Sequence, residues 1–389
     1  MLIYESRKNN FHVKIKVMGI GGGGSNAVDT MIKNGLPLVS VAAVNTDLQC
    51  LHGSSAETKI QIGERLTGGL GAGANPGIGR EAALESIDTI HEVIEETNIV
   101  ILIAGMGGGT GTGAAPVIAE AARQQGKMVI AMVTTPFEFE GKQRNRNAVA
   151  GIDELREHVH TLIVIPNDKL YDLTTEDSSC LEGFYKMDHL LTEAVRAITR
   201  VVLEPGLINL DFADVRAVMS IGGGSILTFG EAQGIHKANK AVENALSSLL
   251  LDARKLKGAR GLLVNIVGGS DLTLHEVDRC MRKLQTGIHE EANIIFGVNI
   301  DPKMQDKVMV TIIATGIEGS YDDGYRNTRL AVPEAEPFNL NRNDLPPRMR
   351  GDEGAALFEV HGILPEAELD IPTYIRRNKS YLGAPREGE

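Results

Sequence analysis

The chain has 389 residues, a formal net charge of −12, 42% hydrophobic and 4% aromatic residues, and no tryptophan. This length and hydrophobic content fit a globular protein of two or three domains, whereas the negative charge and the scarcity of aromatic rings argue against a non-specific nucleic-acid binder. No apolar run approaches the roughly 20 residues that span a bilayer. Residues 1–12 lack the apolar stretch of a signal peptide, so no signal peptide is expected.

Strand-like and helix-like segments alternate up to about residue 180. The predicted strands are Val13–Met18, Val39–Val44, Ile99–Ala104, Met128–Val133 and Thr161–Ile165. The predicted helices are Asn26–Asn34, Ile78–Thr97, Ala114–Gln125 and Gln143–Val159. Continuous apolar strands that alternate with helices indicate a Rossmann-type parallel sheet covered on both faces. Ligands of such sheets bind at the carboxyl ends of the strands, so the loops after the strands are the candidate site.

A long helix follows this first domain. Apolar residues recur every three or four positions from Phe184 to Val202, and Pro205 with Gly206 ends the pattern. Beyond it, an apolar segment, two helices and three strands predict a second, smaller α/β domain. These segments are Ala217–Ile221, a helix near Lys237–Leu250, a strand at Gly261–Ile266, a helix at Leu274–Ala292, and strands at Ile294–Val298 and Val308–Thr315.

The predicted domain boundaries follow from this order of segments. They are an N-terminal extension at 1–12, a first domain at 13–183, the central helix at 184–205, a second domain at 206–317, a linker at 318–367 and a C-terminal tail at 368–389. The linker is rich in Pro, Asp, Glu, Asn and Arg without a sustained period, so it is predicted to be flexible.

The most informative segment is the glycine-rich stretch GMGGGTGTG at 105–113, between the apolar run Ile99–Ala104 and a helix-like run that ends at Gln125. A buried strand therefore leads into a glycine loop that opens a helix. Such a loop turns backbone N–H groups toward an anion at the positive end of the helix dipole, and glycine permits positive φ angles and close approach. The segment predicts a phosphate cradle, but it has no lysine and does not match the P-loop GxxxxGK[ST].

A second glycine loop, at 19–26, follows the first predicted strand and fits GxGxxG, with the acidic Asp47 after the next strand. Alone, this pattern fits either a dinucleotide-binding fingerprint or a tight strand–helix turn. A third glycine stretch lies at 68–76. Three loops at one sheet edge favour a mononucleotide triphosphate, with each loop taking part of the phosphate chain. A negatively charged protein is expected to bind it through backbone amides and a metal ion.

Three cysteines, Cys50, Cys180 and Cys280, are widely spaced. Neither a CxxC motif nor a Cys/His ligand spacing occurs, so no metal-ligating residue is predicted. We expect buried, reduced thiols in a cytosolic protein.

Six segments carry a resemblance to one family. They are residues 21–27, 45–47, 71–76, 107–113, 136–142 and 209–214, in order within a match from about Lys14 to Gly316. The chain resembles FtsZ, the bacterial tubulin-like cell-division GTPases, and GGGTGTG is similar to the tubulin signature. The resemblance implies a tubulin-like α/β fold, in which a Rossmann-type parallel-sheet GTPase domain is joined by a long central helix to a smaller α/β domain. It also implies GTP or GDP as ligand, with Mg²⁺.

The resemblance further implies which residues contact the nucleotide. Phosphate and base are contacted by Gly22, Gly23, Gly24 and Asn26, and the α- and β-phosphates by Gly109, Thr110 and Gly111. Ala72 and Gly73 lie near the γ-phosphate. Glu140 and Arg144 contact the ribose, and Phe184 and Asp188 contact guanine. The remaining residues of the implied site are Ser25, Asn45, Asp47, Gly108, Thr112 and Gly113.

The chemistry of Asp188 agrees with guanine, because a carboxylate accepts from N1–H and the 2-amino group together, which adenine cannot offer. Phe184 lies one helical turn earlier and faces the same side. Structural alternatives stay open at this point. They are core packing for Phe184, a solvated helix position for Asp188, a helix cap for Asp47, and a surface i,i+4 pair for Glu140 and Arg144.

The segment after the central helix contains Asn209, Asp211 and Asp214. By composition alone, Asp211 fits an ordinary helix N-cap. The resemblance instead implies that Asp211 and Asp214 are catalytic and orient or polarise the attacking water, while Asn209 positions the loop. A helix from 184 to 204 is about 30 Å long, which is too far for these acids and Asp188 to serve one nucleotide within one subunit. Head-to-tail stacking into open filaments lets the loop complete the next subunit's site.

The tail segment Leu369–Arg377 combines apolar anchors with two arginines after the predicted linker. It resembles the FtsZ peptide that docks on membrane-tethering and regulatory division proteins; a tail helix packed on its own domain is the alternative. The resemblance implies a cytoplasmic homopolymer in the division (Z) ring at midcell, on the inner face of the cytoplasmic membrane, without membrane insertion or nucleic acid. Two other functions stay open: a nicotinamide-dependent dehydrogenase, and a tubulin-like filament protein that segregates DNA, against which the tail peptide argues.

Overall fold

One mixed sheet of ten strands runs through the part of the chain that the structure describes. This computed structural model describes residues 13–317 apart from 37, 176, 204–205, 209–211, 248–254 and 287, and apart from the side chains of 172, 173, 255 and 257. The strands are β1 (Ile15–Ile20), β2 (Ser40–Asn45), β3 (Thr58–Gln61), β4 (Ile99–Gly105), β5 (Met128–Thr135), β6 (Thr161–Pro166), β7 (Gly224–Gln233), β8 (Gly261–Gly268), β9 (Asn293–Ile300) and β10 (Lys307–Ile317).

Helices connect most of these strands. They are α1 (Gly21–Lys33), α2 (Leu48–Gly53), α3 (Glu64–Thr67), α4 (Pro76–Glu85), α5 (Ile87–Ile94), α6 (Thr110–Gln124), α7 (Lys142–His158), α8 (Leu170–Leu173), α9 (Cys180–Leu203), α10 (Phe212–Met219), α11 (Lys237–Leu246) and α12 (Leu274–Gln285). Short 3₁₀ turns occur at Glu138–Glu140, Asn167–Lys169, Lys255–Gly258 and Pro302–Met304. No helix of the described residues is both long enough and apolar enough to cross a membrane.

The strand order divides the sheet into two halves. The order is β3-β2-β1-β4-β5-β6-β7-β10-β8-β9. The strands from β1 to β6 pair in parallel, whereas β10 runs antiparallel to both β7 and β8. A single pair, Ile163 with Ser225, joins β6 to β7. The predicted α/β class, with a parallel-sheet domain and a smaller second domain, is confirmed.

The first half of the sheet is buried on both faces because its strands are continuously apolar. In β4, Ile101 belongs to a core cluster with residues of α1 and α9 on one face. Its neighbour Leu102 belongs to a second cluster with residues of α4 to α7 on the other face. Alternate side chains of one strand therefore pack against helices on opposite faces of the sheet. This packing fixes the positions of the carboxyl ends of the strands.

The central helix α9 connects the two halves through one apolar face. Met187, Leu191 and Val195 are buried in the cluster that also contains β4 residues. The same cluster includes Leu263 of β8 and Ile313 of β10. One helix face thus belongs to a core cluster that includes strands of both halves, and its burial agrees with the apolar period of the sequence.

Several predicted helices differ from those observed. The helices predicted at Asn26–Asn34 and Ala114–Gln125 begin earlier, at Gly21 and Thr110, because the glycines before them form the first helical turns. Two others differ in extent. The segment predicted as one helix, Ile78–Thr97, forms α4 and α5, which meet at Ser86. This residue has φ −106° and ψ 21°, and its hydroxyl accepts a hydrogen bond from the Gly63 N–H at 3.1 Å. The predicted helix Leu274–Ala292 ends at Gln285, followed by Thr286, whose hydroxyl donates to the Lys283 carbonyl.

Several elements were not predicted from the sequence. They include the short β3 and α2, and the ten-residue strand β7 after α10. The predicted segment Ala217–Ile221 runs past the end of α10, and Gly222 and Gly223, with φ of 77° and 74°, separate that helix from β7. The sequence predictions for 1–12, the linker and the tail lie outside the described residues.

Candidate functional site

A cleft opens at the carboxyl ends of β1, β4 and β5. Its volume is about 670 Å³, within the range of small-molecule sites. The predicted site residues that line it are Gly22, Gly23, Asn26, Gly108, Gly109, Thr110, Gly111, Glu140, Arg144, Phe184 and Asp188. They come from both glycine loops, from the segment between β5 and α7, from the start of α7, and from α9.

Two helix N-termini meet at one end of the cleft. The N-cap positions of α1 and α6 are Ile20 and Gly109, which make no side-chain cap, and neither helix has an acidic residue in its first turn. The first-turn N–H groups and the positive ends of both helix dipoles are therefore suited to an anion. A Cβ on Gly22 or on Gly108 would meet no atom within 4 Å, so space is left for a ligand beside both loops.

The glycine loops pack too closely for larger residues, both against each other and within the second loop. A Cβ on Gly21 would lie 2.9 Å from the Gly111 nitrogen, and a Cβ on Gly111 would lie 2.5 Å from the Gly105 oxygen. Gly107 has φ 98°, and its N–H donates to the Thr112 hydroxyl at 2.8 Å. Glycine is therefore required here both for backbone conformation and for contact between the loops.

Asp188 and Phe184, on the first turns of α9, also line the cleft. The Thr30 hydroxyl donates to Asp188 Oδ2 at 3.1 Å. Burial raises the pKa of Asp188 from 3.8 to about 6, against the opposing effect of this hydrogen bond. The Phe184 side chain is half-exposed, and its ring meets Phe137 edge-on, with centroids 5.8 Å apart. The cleft thus combines a partly desolvated carboxyl group with an accessible aromatic face.

Glu140 and Arg144 form an ion pair along the wall of the cleft. The second carboxylate oxygen of Glu140 accepts from the Phe137 N–H at 2.9 Å. The pair is the i,i+4 arrangement that the sequence allowed as a surface feature, but it also lines the cleft. Both residues therefore line the cleft as an ion pair.

Four predicted residues lie beneath the loops and not among the residues that line the cleft. Ser25 and Thr112 are buried. A Cβ on Gly24 would lie 2.3 Å from the Ile103 oxygen, and a Cβ on Gly113 would lie 1.9 Å from the Pro76 oxygen. These residues shape the loops by close packing.

The third glycine stretch and the end of β2 lie beside the second loop. A Cβ on Gly109 would lie 2.8 Å from that of Ala72, and Gly73 has φ 57°. The Thr46 and Thr110 hydroxyls are 2.7 Å apart, which ties the end of β2 to the start of α6. The third glycine stretch and the end of β2 therefore lie at the same edge of the sheet as the second glycine loop.

Asn45 and Asp47 have structural partners at the end of β2. Asn45 Oδ1 accepts from the Asp47 N–H at 3.2 Å. Asp47 caps α2 by accepting from the backbone of Gln49 and Cys50. The capping role that the sequence allowed for Asp47 is thus present.

Asp214 is not among the residues that line the cleft. It is exposed on α10, which follows α9. Since α9 has 24 residues, it is about 36 Å long. Asp188 and Phe184 are near its start, whereas α10 lies beyond its end. Asn209 and Asp211 lie outside the described residues.

Sequence reasoning missed several residues of the cleft. Phe137 and Phe139 lie on the segment between β5 and α7, and their rings stack with centroids 4.9 Å apart. Cys180 also lines the cleft and is exposed, so the expectation of a buried thiol is wrong for this residue, because α9 begins there at the open end of the cleft. Cys50 is partly buried and Cys280 is buried. A signal for Phe137 was present, since two aromatic residues occur directly after a buried strand.

Comparisons with known proteins give a consistent family. The model of the Tubulin/FtsZ family, GTPase domain, matches residues 14–175, and that of the FtsZ family, C-terminal domain, matches residues 223–318. The chain is 45% identical over 324 residues to the cell division protein FtsZ of Aquifex aeolicus (strain VF5), covering 83% of this chain and 88% of the relative.

Solved structures agree with these matches. An FtsZ dimer from M. jannaschii is similar at 40% identity and a TM-score of 0.74, with 79% of this chain and 89% of that chain covered. CetZ1 from Haloferax volcanii, a GDP-bound monomer, shares the fold at 21% identity and a TM-score of 0.71, with 82% and 99% covered. The two domain matches, the sequence identity and the cleft between the glycine loops and α9 lead to one conclusion: the chain belongs to the FtsZ family of tubulin-like proteins.

Proposed function

We propose that this chain is a cell-division GTPase that binds GTP and GDP in the cleft. One observation carries the proposal: two helix N-termini without side-chain caps and a partly buried carboxyl group line the same cleft. The N-termini suit phosphates, and the carboxylate of Asp188 suits the N1–H and 2-amino group of guanine. Family membership supports this function over a nicotinamide-dependent dehydrogenase.

Each part of the cleft has a role in this proposal. The amides of Gly22, Gly23 and the loop 108–111 bind the phosphates and stabilise the charge that develops as the γ-phosphoryl group is transferred. Glu140 with Arg144 faces the ribose. Phe184 stacks on the base and Asp188 selects guanine.

Hydrolysis requires a second copy of the chain. The acids proposed to orient the attacking water, Asp211 and Asp214, follow the far end of α9, about 36 Å from its start. In head-to-tail filaments this segment, with Asn209 positioning it, reaches the nucleotide of the next subunit. The FtsZ of M. jannaschii is described as a dimer, which supports self-association. The GTPase rate therefore depends on assembly.

Mg²⁺ fits this site through the nucleotide more than through the protein. No group of three or more His, Cys, Asp or Glu side chains within the described residues could hold a metal ion. Mg²⁺ commonly keeps several waters and binds through substrate phosphates, and it would neutralise phosphate charge when bound. The chain's own contribution is the set of backbone amides that fix the phosphates.

The cellular role follows from the family. We place the filaments in the division (Z) ring at midcell, on the cytoplasmic face of the membrane. Leu369–Arg377, which lies outside the described residues, would connect them to membrane-tethering and regulatory partners, because it combines apolar anchors with two arginines.

The test is the variant Asp211→Ala, measured for binding and for turnover. GTP affinity should stay within about twofold of the wild type, because the cleft is intact, whereas turnover should fall by about 100-fold or more, since water activation is lost. In the wild type the rate per subunit should rise with protein concentration. A rate per subunit that is independent of concentration, with Asp211→Ala fully active, would show that the site is complete within one chain.

A further inference from the structure

We infer that Thr30 is a positioning residue for guanine selectivity, acting through Asp188. The inference rests on the proposed guanine site and adds to it a residue that no sequence motif identified. Thr30 does not line the cleft; it lies on α1, one turn after Asn26, at a half-buried position.

The Thr30 hydroxyl connects Asn26 of the first glycine loop to Asp188 of α9. Its oxygen is 3.1 Å from Asp188 Oδ2 and 3.1 Å from the Asn26 carbonyl oxygen. Asn26 belongs to the first glycine loop, and both Asn26 and Asp188 line the cleft. One side chain therefore contacts a loop residue and the base-selecting carboxyl group, which are separated by most of the first domain in sequence.

The hydroxyl has one proton, so it cannot donate fully to both acceptors. With Asp188 ionised, Thr30 donates to the carboxylate and holds one of its two oxygens. With Asp188 protonated, the carboxyl O–H can donate to Thr30, which then donates to the Asn26 carbonyl. Guanine requires the ionised form, because its N1–H and 2-amino group both donate. The Thr30 hydrogen bond therefore favours the form and the rotamer that guanine needs.

Other contacts fix the position of Thr30 relative to α9. Tyr185 donates to Asn34 Oδ1 at 3.4 Å, and Arg196 donates to the Asn34 carbonyl at 3.1 Å. The Thr192 hydroxyl donates to the Asp188 carbonyl at 2.7 Å. The contacts of Tyr185 and Arg196 join α9 to the end of α1, and the Thr192 contact lies within α9 on the backbone of Asp188, so Thr30 and Asp188 are held on two connected helices. Removing the hydroxyl should therefore affect the carboxyl group with little movement of either helix.

The experiment compares GTP with inosine triphosphate, which keeps N1–H but lacks the 2-amino group. Affinities of the full-length wild type, Thr30→Val, Thr30→Ser and Asp188→Asn are measured by competition with a fluorescent guanine nucleotide. Thr30→Val should lower the affinity for GTP about tenfold, as expected for the loss of a hydrogen bond to a charged group. It should lower the affinity for inosine triphosphate only about two- to threefold. The ratio of the affinity for GTP to that for inosine triphosphate should therefore fall in Thr30→Val. Thr30→Ser should restore this ratio because it has a hydroxyl group.

The outcomes separate this inference from the proposed site. If Thr30→Val keeps the wild-type preference while Asp188→Asn loses it, Thr30 has no positioning role and the guanine site stands. If Thr30→Val weakens both nucleotides equally, the residue supports only the helix, and the inference is also overturned. If Asp188→Asn keeps the preference for GTP, the assignment of guanine to Asp188 is itself wrong. Should Thr30→Val fail to fold, Thr30→Ala provides the same comparison.

Discussion

The raised pKa of Asp188 predicts that guanine nucleotide affinity falls as the pH is lowered through 6. Burial raises this pKa from 3.8 to about 6, and only the carboxylate can accept both guanine donors. Affinity should therefore be reduced about twofold at pH 6 and about tenfold at pH 5 relative to pH 7. With an aspartate of ordinary pKa at this position, the affinity would fall by less than about 1.1-fold between pH 7 and pH 5.

The assay must separate Asp188 from the nucleotide, whose phosphates also titrate near neutral pH. Asp188→Asn is the matched control, because it keeps the size of the side chain and removes its titration. The ratio of wild-type to variant affinity cancels the phosphate contribution, so this ratio should fall about tenfold between pH 7 and pH 5. A ratio that stays constant over that range would refute the role of an ionised Asp188 in binding.

The same pKa predicts a cost in stability for the nucleotide-free chain. The native state holds the proton more tightly than the unfolded state, so this contribution to stability is present below pH 3.8 and is lost as the pH rises through 6. The rise from 3.8 to about 6 corresponds to about 3 kcal/mol, and solvent around the partly exposed carboxylate lowers this to roughly 1–2 kcal/mol. Asp188→Asn should therefore stabilise the nucleotide-free fold at pH 7 by roughly this amount in urea unfolding, and the gain should vanish at pH 4. A variant less stable than the wild type at pH 7 would contradict the burial argument.

Two further predictions concern the phosphate loops and the tail. Gly108→Leu should fill the cleft beside the second glycine loop and lower GTP affinity by at least about 100-fold, because a Cβ at Gly108 meets no protein atom within 4 Å and Gly108 lines the cleft. The control is Gly53→Leu, since Gly53 is equally unobstructed but outside the cleft, and this variant should keep GTP affinity within about twofold of the wild type. Equal losses of affinity for the two variants in isothermal titration would contradict the placement of the phosphates. Deleting 369–377 should leave GTP-dependent light scattering unchanged and abolish co-sedimentation with a membrane-tethering partner, whereas loss of scattering would make this segment part of the polymerising core.

Much of the fold could be predicted because its cause is local. The apolar run Ile99–Ala104 and the glycines after it specify a buried strand and a loop without side chains, and both occur where expected. Ser86 shows where local reasoning fails: the apolar period continues through it, and the break between α4 and α5 coincides with a hydroxyl that accepts from distant Gly63.

The sequence indicated the kind of ligand that the site binds, but not the contacts between segments that are distant in sequence. The glycine loops indicated phosphate binding, yet the close approach of Gly21 to Gly111 arises only when β1 and β4 pair. The pKa of Asp188 depends on burial by the packed helices and on Thr30, which is 158 positions away in sequence. No periodicity or motif contains that contact, because it is set by the packing of α1 against α9.

The central claim is that two copies of the chain build one hydrolytic site, and a mixing measurement tests it most directly. Asp211→Ala keeps an intact cleft, and Gly108→Leu keeps an intact acidic segment, so each variant alone should be nearly inactive. In an equimolar mixture that co-assembles at random, GTP turnover should return to about a quarter of the wild-type rate, the share of junctions that pair an intact cleft with an intact acidic segment. Mixed filaments that form but show no recovery of turnover would contradict a site shared between neighbouring subunits.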